Sequence, residues 1–165
     1  MIILGVDPGL SLTGWGLVRS SGTGALSMVA YGCIMTKPSE PITDRLANIH
    51  LSIRNIIQEH HPDEMAIEEL FFAKEARTVA SVGQARGAIL VAATLEKIPV
   101  FEYNPRRIKM ALTGYGSADK SQMQKMVKTV LRLAEIPKPD DAADALAMAV
   151  CHLNTRKFET AVAKL

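Results

Sequence analysis

Apolar and polar positions alternate along this chain with two different periods. Residues 1–7, Met1-Ile2-Ile3-Leu4-Gly5-Val6-Asp7, form an apolar run closed by a carboxylate, the pattern of a central strand covered on both faces. Pro8-Gly9 then turns the chain. Residues 13–19 predict a second strand, Gly22 and Gly24 a turn, and residues 25–36 a third strand, so the chain opens as a meander. After the prolines of 37–41 the period lengthens. Leu46, Ile49, Ile53, Ile56 and Ile57 stand at helical spacing, and His60-His61-Pro62 ends that helix at a solvated terminus.

Residues 65–70 predict a fourth strand and residues 74–97 a long helix that contains Gly83 and Gly87. A glycine inside a helix costs about 1 kcal/mol against alanine. A close neighbour is therefore expected on that face, either the sheet or a second copy of the chain in a symmetric dimer. Residues 100–103 give a fifth strand and residues 106–112 a short basic helix. Ser117 reads as the N-cap of a helix with Met123, Met126, Val127, Val130 and Leu131 on its apolar face. A last helix from Asp140 would bury Ala142, Ala145, Leu146, Ala149, Val150 and Leu153 along one face, with fraying expected from Thr155 onward. A meander followed by alternating helices and strands predicts an α/β domain, a five-stranded mixed sheet with helices on both faces. The domain is expected over residues 1–155, with 156–165 as a short tail.

Composition narrows the setting. The 165 residues suit one domain, no apolar run reaches membrane-spanning length, and the chain starts in a strand without a signal pattern. Cys33 and Cys151 lack metal-ligand spacing and fit a reducing compartment as buried small hydrophobes. The expectation is a cytoplasmic protein without a membrane partner. The net charge of +2 conceals a division. Residues 1–70 hold four basic and eight acidic side chains, whereas residues 103–132 hold seven basic ones against Asp119 alone. A basic surface beside a carboxylate-rich locus suits a polyanion whose chemistry needs acids. Lys125, Lys128 and Arg132 also fit a solvated helix face.

The acids themselves form a pattern. Asp7 and Glu68 each close a central strand, at the end where α/β sheets build sites. Adjacent strand residues face opposite ways, so at most one of Glu68 and Glu69 shares a site with Asp7. Asp141 and Asp144, three apart at a helix start, project together from the edge left free by its apolar face. Clustered carboxylates repel one another unless cations intervene. Oxygen ligands favour Mg²⁺ or Mn²⁺, and two such ions form a clamp for phosphoryl transfer.

Gly5-Val6-Asp7-Pro8-Gly9, Ala66-Ile67-Glu68, the run Gly83-Gln84-Ala85-Arg86-Gly87, the segment Gly116-Ser117-Ala118-Asp119-Lys120-Ser121 and the helix start Asp141-Ala142-Ala143-Asp144-Ala145-Leu146 together resemble the RuvC family of Holliday-junction resolvases. In this order and spacing, from residue 1 to about 155, the motifs are highly specific. The resemblance implies a ribonuclease H-like fold acting as a homodimer, each subunit nicking one of two symmetry-related strands of a four-way DNA junction in recombination and repair and leaving 5′-phosphate ends. It implies two Mg²⁺ (or Mn²⁺) ions on Asp7, Glu68, Asp141 and Asp144, the Asp141 position being histidine in some members. It gives Lys109 and Lys120 catalytic and DNA contacts near the scissile phosphate. Phe71 resembles a wedge at the junction centre, with Phe72 expected in the core, and Gln84 and Arg86 are further DNA-binding candidates. A branch-migration motor of the RuvA and RuvB type is the implied partner. Two other classes compete. A sugar-kinase or actin-like ATPase also opens with an Asp-Gly turn, but it needs a second domain that this length does not hold. A silent nucleic-acid binder of the same fold is disfavoured by the presence of all four acids, and an RNA-processing relative by Phe71-Phe72 and the Lys109/Lys120 pair.

Overall fold

The computed structural model describes residues 1–70 and 76–162. In it β1 (Ile2–Asp7), β2 (Leu12–Ser20) and β3 (Leu26–Met35) form the antiparallel meander, and α1 (Ile42–His60) returns the chain to β4 (Glu64–Glu68). Then come α2 (Ala76–Leu95), β5 (Val100–Tyr103), α3 (Pro105–Thr113), α4 (Lys120–Val130) and α5 (Asp140–Val162). The sheet order is β3-β2-β1-β4-β5, with β4 parallel to both β1 and β5. The mixed five-stranded sheet with helices on both faces is the predicted architecture.

Strand alternation divides the core. Leu4 and Val6 of β1 with Met65 and Ile67 of β4 pack under Ile49, Ile53 and Ile57 of α1 and Ile89 of α2. Ile3 and Ala66 face the other way, toward α5, on which α3 and α4 lie. The last helix was expected to bury one face. Instead almost every residue from Ala142 to Leu153 is buried, because the sheet covers one side of α5 and α3 and α4 the other. The helix comes unusually close to the sheet. A Cβ at Gly5 would run into the Ala145 carbonyl oxygen, and one at Gly14 into that of Asp141.

Three further expectations are corrected. Asp119, not Ser117, caps α4: its carboxylate accepts from the Gln122 N–H at 2.8 Å, and Gln122 Oε1 accepts from the Asp119 N–H at 2.9 Å. The reciprocal pair needs an acceptor at the third position, which Gln122 supplies and Lys120, three after Ser117, cannot. The chain does not fray at Thr155, since α5 runs to Val162. Arg156 Nη2 meets Glu64 Oε1 at 2.5 Å, and Lys157 Nζ donates to the Gly24 carbonyl at 2.5 Å. Lastly, Gly83 and Gly87 do not serve packing on the sheet: among the described residues only Leu70 Cδ2, at 3.8 Å, approaches the Gly83 position, and nothing approaches Gly87.

A buried polar network anchors α5 away from the Asp7 edge. His152, fully buried, bonds Tyr103 Oη through Nδ1 at 2.7 Å and Glu64 Oε2 through Nε2 at 2.5 Å. It ties the helix to the first residue of β4 and the last of β5.

Candidate active site

β1 and β4 run side by side with Val6 level with Ile67, so the next residue of each, Asp7 and Glu68, reaches the sheet edge together. Both share the face of Ile3, Gly5 and Ala66, toward α5. The close approach over Gly5 and Gly14 brings the first turns of α5 down onto that edge, and Asp144 with them. A cleft of about 230 Å³ opens there, rimmed by Asp7, Glu68, Asp144, Lys109 and Lys120, with Ile108, Met123, Ala147 and Met148 as an apolar wall.

The electrostatics follow from burial. Desolvation raises the Asp7 carboxyl to about 8, the charges of Glu68, Asp144 and Asp141 push it the same way, and Lys120 opposes them. Asp144 is also raised, chiefly by burial, against the pull of Lys120. The Lys120 ammonium lies 3.2 Å from Asp140 Oδ2 and 3.4 Å from Asp144 Oδ2. Burial works against its charge, but the two acids outweigh it and hold the ammonium above its ordinary value. The hydrogen bond from Lys120 holds Asp140 low.

Among the described residues, no three acids converge closely enough to hold an ion as they stand. They are close enough for repulsion to resist ionisation of Asp7. The donor chemistry fits a hard divalent cation, since the set is all oxygen, partly desolvated and over-supplied with negative charge. A bound cation would stabilise the ionised form of Asp7 that burial and the neighbouring acids disfavour.

Not every predicted residue lies in the cleft. Asp141 stands one turn earlier against β2, its carbonyl beside Gly14 and its charge felt at Asp7 and at Cys33. Burial first, then Asp141, pushes the Cys33 thiol up to about 11, so it is a neutral neighbour of the site. Gln84 is exposed on α2 and takes no part in the rim. Arg86 is only 15% exposed and pairs with Glu102. Phe71 and Phe72 lie outside the described residues. Asp140 escaped the sequence reading: its partner Lys120 is twenty residues away, and the only signal is an additional acid before Asp141.

Residues 3–152 match the family described as Crossover junction endodeoxyribonuclease RuvC. A relative of that description from Endomicrobium trichonymphae is 60% identical over 155 residues, covering 94% of this chain and 82% of the relative. One from Desulforamulus reducens is 51% identical, over 92% of this chain and 93% of the relative. Among solved structures, RuvC from Thermus thermophilus in complex with Holliday junction substrate is similar at a TM-score of 0.92 and 36% identity, covering 97% of each chain.

Proposed function

Because the chain belongs to the RuvC family of crossover junction endodeoxyribonucleases, we propose that its acidic cleft cuts one phosphodiester bond on each of two symmetry-related strands of a four-way DNA junction. The activity is that of a Holliday-junction resolvase, a nuclease of ribonuclease H-like fold. The observation that carries the reading is the convergence in one cleft of Asp7, Glu68 and Asp144, from three separate elements, with Lys109 and Lys120 on the same rim.

Asp7, Glu68, Asp144 and Asp141 would hold two Mg²⁺ or Mn²⁺ ions, and such a pair supplies an activated water and a stabilised leaving oxygen. The chain's own residues do the rest. Lys109 and Lys120 bind and orient the scissile phosphate by charge. Lys120 opens α4, so a phosphate there also meets the positive end of the helix. Asp140 is a second carboxylate partner of Lys120 and would hold its ammonium at the rim with Asp144 engaged as a metal ligand. The wall of Ile108, Met123 and Met148 excludes water and strengthens these interactions. Phe71, three residues beyond Glu68, would stack on bases opened at the junction centre, an interaction worth about 1–3 kcal/mol per base, and Gln84 would add a DNA contact.

Paired cuts need a dimer. Supporting one is the stripe of Gly83, Gly87, Val91 and Leu95 on α2, where among the described residues only Leu70 comes within 4 Å of the Gly83 position and none of the Gly87 position, and where Val91 and Leu95 are 52% and 64% exposed. The junction would arrive from a branch-migration motor of the RuvA and RuvB type in the cytoplasm; among the described residues no helix is long and apolar enough to cross a membrane.

The deciding experiment offers the protein a synthetic four-way junction, a linear duplex and an RNA–DNA hybrid, each with and without Mn²⁺. Symmetric paired nicks on the junction alone, only with metal, are expected. Preferential cutting of the hybrid, or no cutting at all, overturns the reading.

A further inference from the structure

Arg86 looks from sequence like a phosphate contact on a helix surface. Its surroundings indicate another task. The side chain is 15% exposed, its Nη2 lies 2.5 Å from Glu102 Oε2, and its Nε donates to the main-chain carbonyl of Glu68 at 3.3 Å. Glu102 belongs to β5, whose next residue, Tyr103, is level with Glu68. The guanidinium therefore bridges the ends of two adjacent strands from the α2 side of the sheet.

The bond to the Glu68 carbonyl falls where the ladder fails. In a parallel pair each inward carbonyl accepts from the residue one beyond its level partner. The β4 residues at 65 and 69 donate toward the β5 side, to Pro99 and Tyr103, so Glu68 faces β1. Val6 is level with Ile67, which makes Pro8 the next β1 position facing that carbonyl. Proline has no N–H. Arg86 thus supplies a donor that the strand cannot, at the residue whose side chain enters the acidic cleft.

We propose that Arg86 is a positioning residue for Glu68. Held by Glu102, its planar fork fixes the peptide that follows Glu68, and with it the direction of the Glu68 carboxylate toward the metal site. The inference rests on the reading of Glu68 as a metal ligand. Lysine cannot replace the fork, because a single ammonium on a flexible stem does not hold a carbonyl and a carboxylate in a fixed plane.

The test is Mn²⁺ binding to the full chain without DNA, followed by the electron paramagnetic resonance signal of free Mn²⁺, beside junction affinity measured in EDTA at several salt concentrations. Arg86→Gln should weaken Mn²⁺ binding about tenfold, in the range for groups that orient metal ligands. Junction affinity should stay within about twofold and its salt slope should not change, because phosphate contacts set both. Arg86→Lys should recover only part of the Mn²⁺ affinity. Glu102→Gln, on a half-exposed residue outside the cleft, should shift Mn²⁺ binding the same way and add little to Arg86→Gln; it carries the test if the Arg86 variants do not fold. Wild-type Mn²⁺ binding in both Arg86→Gln and Glu102→Gln, or a lost junction affinity with a shallower salt slope, overturns the proposal. Glu68→Gln separates the two layers. If it binds Mn²⁺ like the wild type, the ligand assignment itself fails; if it alone loses binding, only the positioning role does.

Discussion

At Asp7, burial and three neighbouring acids raise the carboxyl from 3.8 to about 8, and the sign of the consequence is fixed. The unfolded chain gives up this proton near the ordinary carboxylate value, whereas the metal-free fold keeps it until about pH 8. Between those limits the folded state binds more protons, so its stability falls as pH rises. The cost is absent below the ordinary value and complete above about 8. Melting temperatures of the metal-free protein should therefore decline from pH 4 toward pH 8, and Asp7→Asn should flatten that decline; an unchanged slope in the variant would place the burden on another group. The same substitution should reduce Mn²⁺-dependent junction cutting by about 100-fold or more, since a neutral amide is a poor ligand for a hard cation. Junction binding, which rests on phosphate contacts, should remain. Cutting at the wild-type rate would remove Asp7 from the ligand set.

The element that assembles the site is α5, and small residues beneath it set its height over the sheet. Gly5→Ala would drive a methyl group into the Ala145 carbonyl and lift the helix start from β1. Overpacking of this kind costs about 1–3 kcal/mol. Because Asp144 rides on the lifted turn, cutting should fall further than stability does, which parallel denaturant unfolding and cleavage assays would separate. The lower end of the helix depends on Glu64, placed between His152 and Arg156. The cap of α4 works at the same scale. Asp119→Ala removes one half of a reciprocal pair, worth about 1 kcal/mol, immediately before Lys120. Sequence periodicity gives α4 its apolar face, with Met123 and Val127 buried. It does not identify the cap, because Ser117 and Asp119 are both good capping residues and only the partner three positions on distinguishes them.

Across the whole molecule the charge division acquires a geometry. The acids of the first half and the basic residues of α3 and α4 meet at one cleft, with Lys109 and Lys120 on its rim. Junction affinity should fall steeply as salt rises, because each phosphate contact releases counterions. A flat response, read by gel shift over a salt series, would rule out this surface as the DNA face. On the far side, Val91→Glu places a charge in the apolar stripe of α2 and should convert a dimer to monomers in analytical ultracentrifugation. Paired nicking should become independent single nicks. A Val91→Glu protein that still sediments as a dimer would move the interface elsewhere.

The sequence by itself determined the five strands, most helix positions, the mixed sheet and the acids at strand and helix ends. These follow from hydrophobic period and turn chemistry, which act between near neighbours. Asp7 and Glu68 were legible as a pair because each closes a central strand; parity allows only one of Glu68 and Glu69 into a site with Asp7, and the family resemblance selects Glu68. Only the tertiary structure decided the rest. That α5 is enclosed on nearly all sides depends on α3 and α4 lying over it, and its continuation to Val162 depends on Glu64, ninety-two residues from Arg156. That Lys120 is held by Asp140, and that Arg86 turns from solvent to the Glu68 carbonyl, depend on side chains meeting across the fold. A period records which face of an element is buried. It carries no record of what the exposed charges reach.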